Sequence, residues 1–262
     1  MALDIDRYAH RESSLKRWDP RIKLLTMGIF VFIVALLDTL PVAYLSLLFA
    51  LMFLRLSNIP FSFIRGGVMF VSLFLLPLFF IMPFSYPGES PSNLLGFNFA
   101  WEGFRLACLI IIKALAVVII AYGVFGSNRF DISMIALQHL RVPRLIVQML
   151  LFTYRYIFVF LAEMRRMDVS MRSRGLVKKF DLATLKIMGN FIGTLLIRSF
   201  ERTERIYDAM LSKGYDGEFH TMIVFQSQLK DYLKAMAILV LIIVFLWLEV
   251  SSRFQPAINA WY

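Results

Sequence analysis

Residues 66–84, GGVMFVSLFLLPLFFIMPF, decide the fold class of this chain. The run holds no charged side chain, and a helix needs about 20 apolar residues to cross a bilayer. The chain of 262 residues is 59% hydrophobic with a mean hydropathy of +0.70, whereas soluble domains are about half apolar. Because the excess lies in long runs, the sequence predicts an all-α integral membrane protein with several spanning helices.

Three further apolar stretches extend this pattern on both sides. Residues 24–54 are interrupted at Asp38 and Pro41, which predicts two short helices joined by a tight turn, with a tilted or partly inserted pair as the alternative. Residues 104–125 and 233–250 are each long enough for one more span. The polar loop 85–103 contains Glu89 and Glu102 but no lysine or arginine, so we expect it on the outer face of the membrane.

The basic residues give the chain a formal net charge of +10. They lie between and beside the apolar runs, which is typical of cytoplasmic segments of membrane proteins and argues against nucleic-acid binding. The first 21 residues lack the apolar core and cleavage site of a signal peptide. We therefore expect a multi-pass protein of the cell membrane whose N-terminus is held in the cytoplasm by Arg7, Arg11, Lys16, Arg17, Arg21 and Lys23.

The apolar run 145–161 determines on which side of the membrane the following region lies. If it also crossed the membrane, the strongly basic region 163–234 would face outside, against the usual charge bias. We therefore predict five crossings, with 145–161 as a helix at the inner edge of the membrane, and keep six crossings as the alternative. Three parts follow: residues 1–126 with four membrane helices, residues 127–232 with cytoplasmic or interfacial helices, and residues 233–262 with the last span and a tail.

Several chemical signatures are absent from the sequence. No phosphate-binding motif of the form G-x-x-x-x-G-K-[ST] occurs, so we expect no nucleotide cofactor and no enzymatic activity in this chain. The three histidines, His10, His139 and His220, match no metal-ligand spacing, and the one cysteine, Cys108, lies in an apolar run. The four membrane helices predicted before residue 127 hold no carboxylate in their interiors, which argues against a stand-alone coupled carrier.

Region 163–234 has the pattern of amphipathic helices. After Asp181, a credible helix N-cap, apolar side chains recur at spacings of three and four. These positions are Leu185, Met188, Ile192, Leu195, Ser199, Ile206 and Met210. One face of this helix is therefore predicted to be apolar.

Two predicted helices in this region end in the same way, at Ser173-Arg174-Gly175 and at Ser212-Lys213-Gly214. Helix capping explains each end by itself, because a cation favours the helix dipole and glycine adopts the left-handed conformation that follows a helix. Two exposed cations at helix ends of one cytoplasmic region also suit docking into acidic grooves of a separate motor protein.

Two further cations, Lys113 and Arg155, interrupt apolar runs. The simpler interpretation is that each pairs with a backbone carbonyl or a distant acid, or extends toward the membrane interface. A place in a partner interface or a transport pathway is the alternative.

Over nearly its whole length, the chain resembles the transmembrane T component of energy-coupling-factor (ECF) transporters, specifically the cobalt-type permease. The N-terminal DPR at 19–21 is similar to the opening of that family, and YRY at 154–156 is similar to its middle. The strongest similarity is SFERTER at 199–205, which continues to GYDG at 214–217.

The resemblance implies roles for the two helix ends. In that family, short Ala-Arg-Gly-like motifs end the coupling helices, and each arginine enters a groove on one of two cytoplasmic ATPase subunits. The matching positions are Ser173, Arg174 and Gly175, and Ser212, Lys213 and Gly214, with serine for alanine twice and lysine for arginine once. The implied partners are two ATPases that bind the ATP, a substrate-binding membrane subunit, and the lipid bilayer.

The resemblance favours import of cobalt for cobalamin synthesis, with nickel and then a vitamin such as biotin as alternative substrates. Two other classes of function stay open. A stand-alone carrier or channel predicts transport by the purified chain without partners. A membrane-bound enzyme or assembly scaffold requires a polar cluster within the apolar runs.

Overall fold

The computed structural model describes residues 13, 15–85, 92–94, 97–177, 179–217, 225 and 227–259. Within this part of the chain the predicted all-α class is confirmed. The helices are α1 (Pro20–Leu36), α2 (Leu40–Ser57), α3 (Phe61–Ser85), α4 (Trp101–Gly126), α5 (Phe130–His139), α6 (Arg144–Ser173), α7 (Leu182–Leu211) and α8 (Leu229–Asn259).

Among the described residues, five helices are long and apolar enough to cross a membrane: α2, α3, α4, α6 and α8. Their number agrees with the prediction of five crossings, but their identity differs. The prediction included α1, which has only 17 residues, among the crossings and excluded the run 145–161 from them. That run is the first half of α6, a continuous helix of 30 residues that extends about 45 Å. Whether α6 crosses the membrane stays a prediction.

The loop expected on the outer face contains a short hairpin that the sequence did not indicate. Strand β1 (Ser92–Leu94) pairs antiparallel with β2 (Phe97–Phe99). The backbone N–H of Ala100 then donates to the carbonyl of Pro83, at 2.8 Å, and so joins the start of α4 to the end of α3. Strands of three residues are too short to produce a readable alternation. Glu89 of this loop lies outside the described residues.

The chain divides into two compact units, the first of which comprises residues 5–141 and 225–262. An aromatic cluster joins three of its helices. The ring of Phe30 in α1, fully buried, lies 4.7 Å from that of Phe49 in α2 and 6.0 Å from that of Phe245 in α8, between centroids. Small buried residues let α2 and α4 pack closely: Ala43, Ala50, Ala107 and Ala116.

The turn between α1 and α2 lies where the sequence predicted it and is fastened by α8. The carboxylate of Glu249 accepts hydrogen bonds from the backbone N–H of Asp38, at 2.9 Å, and from the hydroxyl of Thr39, at 2.5 Å. Glu249 is itself only 5% exposed. A buried carboxylate with two donors therefore anchors one end of this unit.

The second unit contains residues 142–224, and its helices are α6 and α7. No residue of α7 is fully buried. In the predicted apolar stripe, Leu185 and Ile192 are exposed, and five positions are half-buried: Met188, Leu195, Ser199, Ile206 and Met210. The amphipathic pattern is confirmed, while much of the apolar face has no cover within the described unit.

The compact units divide the chain differently from the predicted parts. Helix α5 packs on α1 and belongs to the first unit, although residues 127–141 were assigned with the amphipathic helices. The predicted parts were defined by the side of the membrane on which each segment lies. The compact units are defined by packing within the chain, which does not depend on the side of the membrane. That division stays a prediction.

Candidate functional site

The end of α6 forms a Schellman motif around the first predicted site. The backbone N–H of Leu176 donates to the carbonyl of Met171, at 3.1 Å, and that of Gly175 donates to Arg172, at 3.0 Å. These are the two bonds that define the motif, and they place Arg174 at the cap with glycine next. Gly175 has φ of +85°, so its left-handed conformation explains the choice of glycine.

The end of α7 repeats this geometry at the second predicted site. The N–H of Tyr215 donates to the carbonyl of Met210, at 3.0 Å, and that of Gly214 donates to Leu211, at 2.9 Å. Gly214 has φ of +80°. Lys213 therefore occupies the same position at this helix end as Arg174 does at the other.

The serine of each tripeptide also has the same structural role. The hydroxyl of Ser173 donates to the carbonyl of Val169, at 3.0 Å, and that of Ser212 donates to Asp208, at 2.8 Å. Both bonds run back one helical turn, so each hydroxyl is satisfied within its own helix. The two ends thus match in serine, cation and glycine.

The cations of the two sites point away from these capping bonds. Arg174 and Lys213 are exposed, and no described residue forms an ion pair or a side-chain hydrogen bond with either of them. Their neighbour Arg172 differs, because its guanidinium pairs with Asp168 at 2.8 Å. Within the described part of the chain, each helix end therefore presents one positive charge without a partner, which can bind a carboxylate of another molecule.

A carboxylate on α6 links the two helices that carry these ends. Glu163, whose side chain is 15% exposed, forms ion pairs with Arg166 on its own helix and with Arg198 on α7. A second contact lies just after the C-terminal end of α7, where the side-chain amide of Gln148 donates to the carbonyl of Gly217, at 3.1 Å. These bonds restrict how the Lys213 end can move relative to α6.

Asp181 is confirmed as the N-cap of α7. Its carboxylate accepts a hydrogen bond from the backbone N–H of Thr184, at 2.7 Å. Hydrogen bonds from the side chain and backbone of Thr184 hold the pKa of Asp181 below its ordinary value. This cap, six residues after Gly175, fixes the start of α7.

The structure favours the simpler interpretation of Lys113. Its ammonium donates to the carbonyl of Ala35, at 3.1 Å, and lies 3.7 Å from the carboxylate of Asp38. Lys113 thus supports the end of α1 from α4. The guanidinium of Arg155 is exposed and lies 6.0 Å from the ring centroid of Tyr156, and its role stays a prediction.

Among the buried polar residues, two charged ones with distant partners were not recognised from the sequence. Lys23, counted among the cytoplasmic cations, is fully buried, and its ammonium donates to Ser127 at 2.8 Å and to the carbonyl of Leu15 at 3.2 Å. Glu249, at the end of the last apolar run, fastens the α1–α2 turn. No local pattern distinguishes them, because their partners are distant in sequence. Arg7 and Arg11 lie outside the described residues.

No group of three or more histidine, cysteine or carboxylate side chains that could hold a metal ion occurs in the described ranges. His10 and His220 are not among those residues. His139 is engaged locally, since its Nδ1 lies 3.1 Å from the carbonyl of Ile135.

Comparison with known proteins gives one family and several relatives. The family model CbiQ, described as cobalt transport protein, matches residues 11–223. An uncharacterized protein of Methanocaldococcus jannaschii is 25% identical, with 86% of this chain and 80% of the relative covered.

Two bacterial relatives carry the name energy-coupling factor transporter transmembrane protein EcfT. The protein of Bacillus subtilis is 26% identical, with 81% of this chain and 84% of the relative covered. That of Streptococcus equi is 27% identical, with 96% and 98% covered. The similarity therefore extends over both compact units.

Proposed function

Because this chain belongs to the CbiQ cobalt transport protein family, and because several of its relatives are named energy-coupling factor transporter transmembrane proteins, we propose that it is the coupling subunit of an ECF-type importer. In this role it links ATP hydrolysis by two cytoplasmic ATPase subunits to the movement of a separate substrate-binding membrane subunit. The chain is a multi-pass membrane protein, and its own contribution is mechanical rather than catalytic.

The observation that carries this proposal is the pair of matching helix ends. Arg174 and Lys213 occupy equivalent cap positions, are exposed, and have no charge partner among the described residues. A rigid helix tip with one unpaired cation suits an acidic groove on a partner, where a charge-assisted hydrogen bond fixes the register of docking. Two such tips suit two ATPase subunits.

The two tips differ in the strength expected of their contacts. The planar guanidinium of Arg174 can bind a carboxylate through two parallel hydrogen bonds, whereas the ammonium of Lys213 acts as a point charge. We therefore expect the α6 tip to form the more directional contact of the two. The ion pair between Glu163 and Arg198 transmits displacement of one helix to the other.

We propose cobalt as the substrate, because the matched family is described as cobalt transport protein. Nickel and a vitamin such as biotin are the alternatives that the experiment must separate. The metal is cargo of the complex, and the substrate-binding subunit supplies its ligands.

Reconstitution in proteoliposomes tests the proposal. The chain is purified with its two ATPases and its substrate-binding subunit, and uptake of radioactive cobalt is measured with and without ATP. We expect ATP-dependent uptake only for the complete complex, with excess nickel or biotin as competitor to define the substrate. Transport by the chain alone would indicate a stand-alone carrier, and ATP hydrolysis by the chain alone would contradict a purely coupling role.

A further inference from the structure

Two of the cavities in the cleft between α6 and α7 share Arg202 and Phe160. The smaller, of about 240 Å³, is lined by three arginines, Arg198, Arg202 and Arg205, together with two glutamates. The larger, of about 690 Å³, is lined mainly by apolar and aromatic side chains of both helices. A polar cavity and an apolar cavity thus meet at one arginine.

Among the described residues, Arg202 differs from its two arginine neighbours in having no partner. Arg198 pairs with Glu163, and the Nε of Arg205 donates to the carbonyl of Glu201, at 3.2 Å. Arg202 is half-buried, yet no described residue forms a hydrogen bond or an ion pair with it. Because partial burial of an unpaired guanidinium is unfavourable, this position attracts an anionic group.

The larger cavity indicates what kind of group could lie beside an anion bound at Arg202. Met149, Phe152 and Tyr156 of α6 line it, with Ile206 and Tyr207 of α7 opposite. Two polar side chains at its edge already have partners, since Tyr215 donates to the Gln148 amide oxygen at 3.4 Å, and that amide donates to Gly217. The lining therefore suits a hydrocarbon chain rather than a second polar group.

We propose that this cleft binds one anionic phospholipid, such as phosphatidylglycerol. Its phosphate lies against Arg202 and Arg205, and one acyl chain occupies the apolar cavity. Such lipids surround the protein, because the chain resides in a bilayer. A ligand with an anionic group at one end and a hydrocarbon chain at the other matches the polar and the apolar cavity. This inference is independent of ATPase docking, because Arg174 and Lys213 line neither cavity.

Native mass spectrometry of the full-length chain in detergent tests the proposal. Dissociation constants are measured for dioleoyl phosphatidylglycerol and for dioleoyl phosphatidylcholine. Both lipids carry a phosphate, but the choline cation neutralises that of phosphatidylcholine. The net negative charge of phosphatidylglycerol therefore predicts a preference of about tenfold or more for the anionic lipid. Arg202→Gln should strongly reduce the preference, although Arg205 remains, and Arg202→Lys should retain more of it, because the charge at this position remains.

Lys186→Gln is the matched control, since it removes one exposed positive charge from the same helix at a position that lines neither cavity. It should leave the preference unchanged. Equal affinity for both lipids in the native chain, or equal loss in Lys186→Gln and Arg202→Gln, would overturn the proposal. Displacement of the lipid by glycerol phosphate or by a polyglutamate peptide at equal concentration would also overturn it, in favour of a phosphate site or an acidic protein partner.

Discussion

At the scale of single residues, the two tripeptides use their backbone atoms for helix capping and leave the side chains of their cations available for docking. Backbone N–H groups make both bonds of each Schellman motif, and glycine supplies the left-handed conformation. The cap therefore explains Gly175 and Gly214 but does not use the side chains of Arg174 and Lys213. A second function for these cations is compatible with complete capping.

Charge reversal at the tips tests docking. If each cation enters an acidic groove, Arg174→Glu and Lys213→Glu remove an attraction and add a repulsion. Loss of one partner from a buried charge pair typically costs about 2 to 5 kcal/mol, which is roughly 30-fold to several thousand-fold in affinity. We expect loss of ATPase co-purification and of uptake, with the smaller effect at Lys213, and we expect Lys213→Arg to preserve or improve both.

The control for charge reversal is Lys186→Glu, which changes the net charge equally on the exposed surface of α7. It should leave co-purification and uptake intact at matched expression. If both tip reversals behave like this control, Arg174 and Lys213 are ordinary helix-end residues, because loss of a favourable dipole contact costs only about 0.3 to 1 kcal/mol.

Alanine at the cap glycines tests the conformational role separately. A Cβ at Gly175 or Gly214 would meet no atom within 4 Å, so the cost comes only from the positive φ. That cost is about 1–2 kcal/mol for an L-residue, and we expect thermal unfolding in detergent at a lower temperature. Gly189→Ala within α7, which also has open space, should be neutral or stabilising. An equal response at all three positions would contradict the cap geometry.

At the scale of elements, α7 is positioned by its ends and by few contacts along its length. It begins at the Asp181 cap, ends at the Gly214 motif, and is tied to α6 by the pair of Glu163 and Arg198. Its apolar side chains are half-buried or exposed, including Leu196 at 64% and Phe200 at 66%. Such a helix is suited to exchange partners on its surface, because little of its own burial would be lost.

The Asp181 cap predicts a pH dependence of α7. Since the pKa of Asp181 is lower in the folded chain, its contribution is fully present above the ordinary value of 3.8 and is lost as the pH falls through the lowered folded value. Thermal unfolding followed by circular dichroism between pH 5 and pH 2 measures this. Asp181→Asn, which caps without titrating, should remove that part of the acid sensitivity. Identical pH profiles for the two proteins would contradict a charged cap.

At the scale of the whole molecule, the distribution of charge predicts the orientation in the membrane. We expect Glu102 outside and Lys179 in the cytoplasm, because lysine and arginine concentrate in the region around Lys179. Single cysteines at these positions, in a Cys108→Ser background, are labelled with an impermeant thiol reagent. Position 102 should react in intact cells, and position 179 only after permeabilisation. Reaction at 179 in intact cells would exclude the predicted five crossings, in which α6 does not span the membrane, and favour a sixth crossing by α6.

The sequence by itself determined the features that depend on neighbouring residues. Apolar runs fixed the helical membrane class, spacings of three and four fixed the amphipathic face of α7, and Asp181 and Gly214 marked its ends. These signals are readable because a helix repeats every 3.6 residues and because glycine alone adopts positive φ without cost. The length of α6 was not determined, since its apolar and charged halves read as separate segments.

Only the tertiary structure decided which polar side chains meet. Lys23 read as a cytoplasmic surface charge, yet it is buried against Ser127, 104 residues away. Glu249 binds the turn at Asp38 across 211 residues, and Glu163 joins Arg198 across 35. Such contacts depend on which helix faces pack together, and a local sequence pattern does not indicate which faces these are. The α6–α7 cleft, in which Arg202 has no partner among the described residues, therefore forms only once the helices are packed.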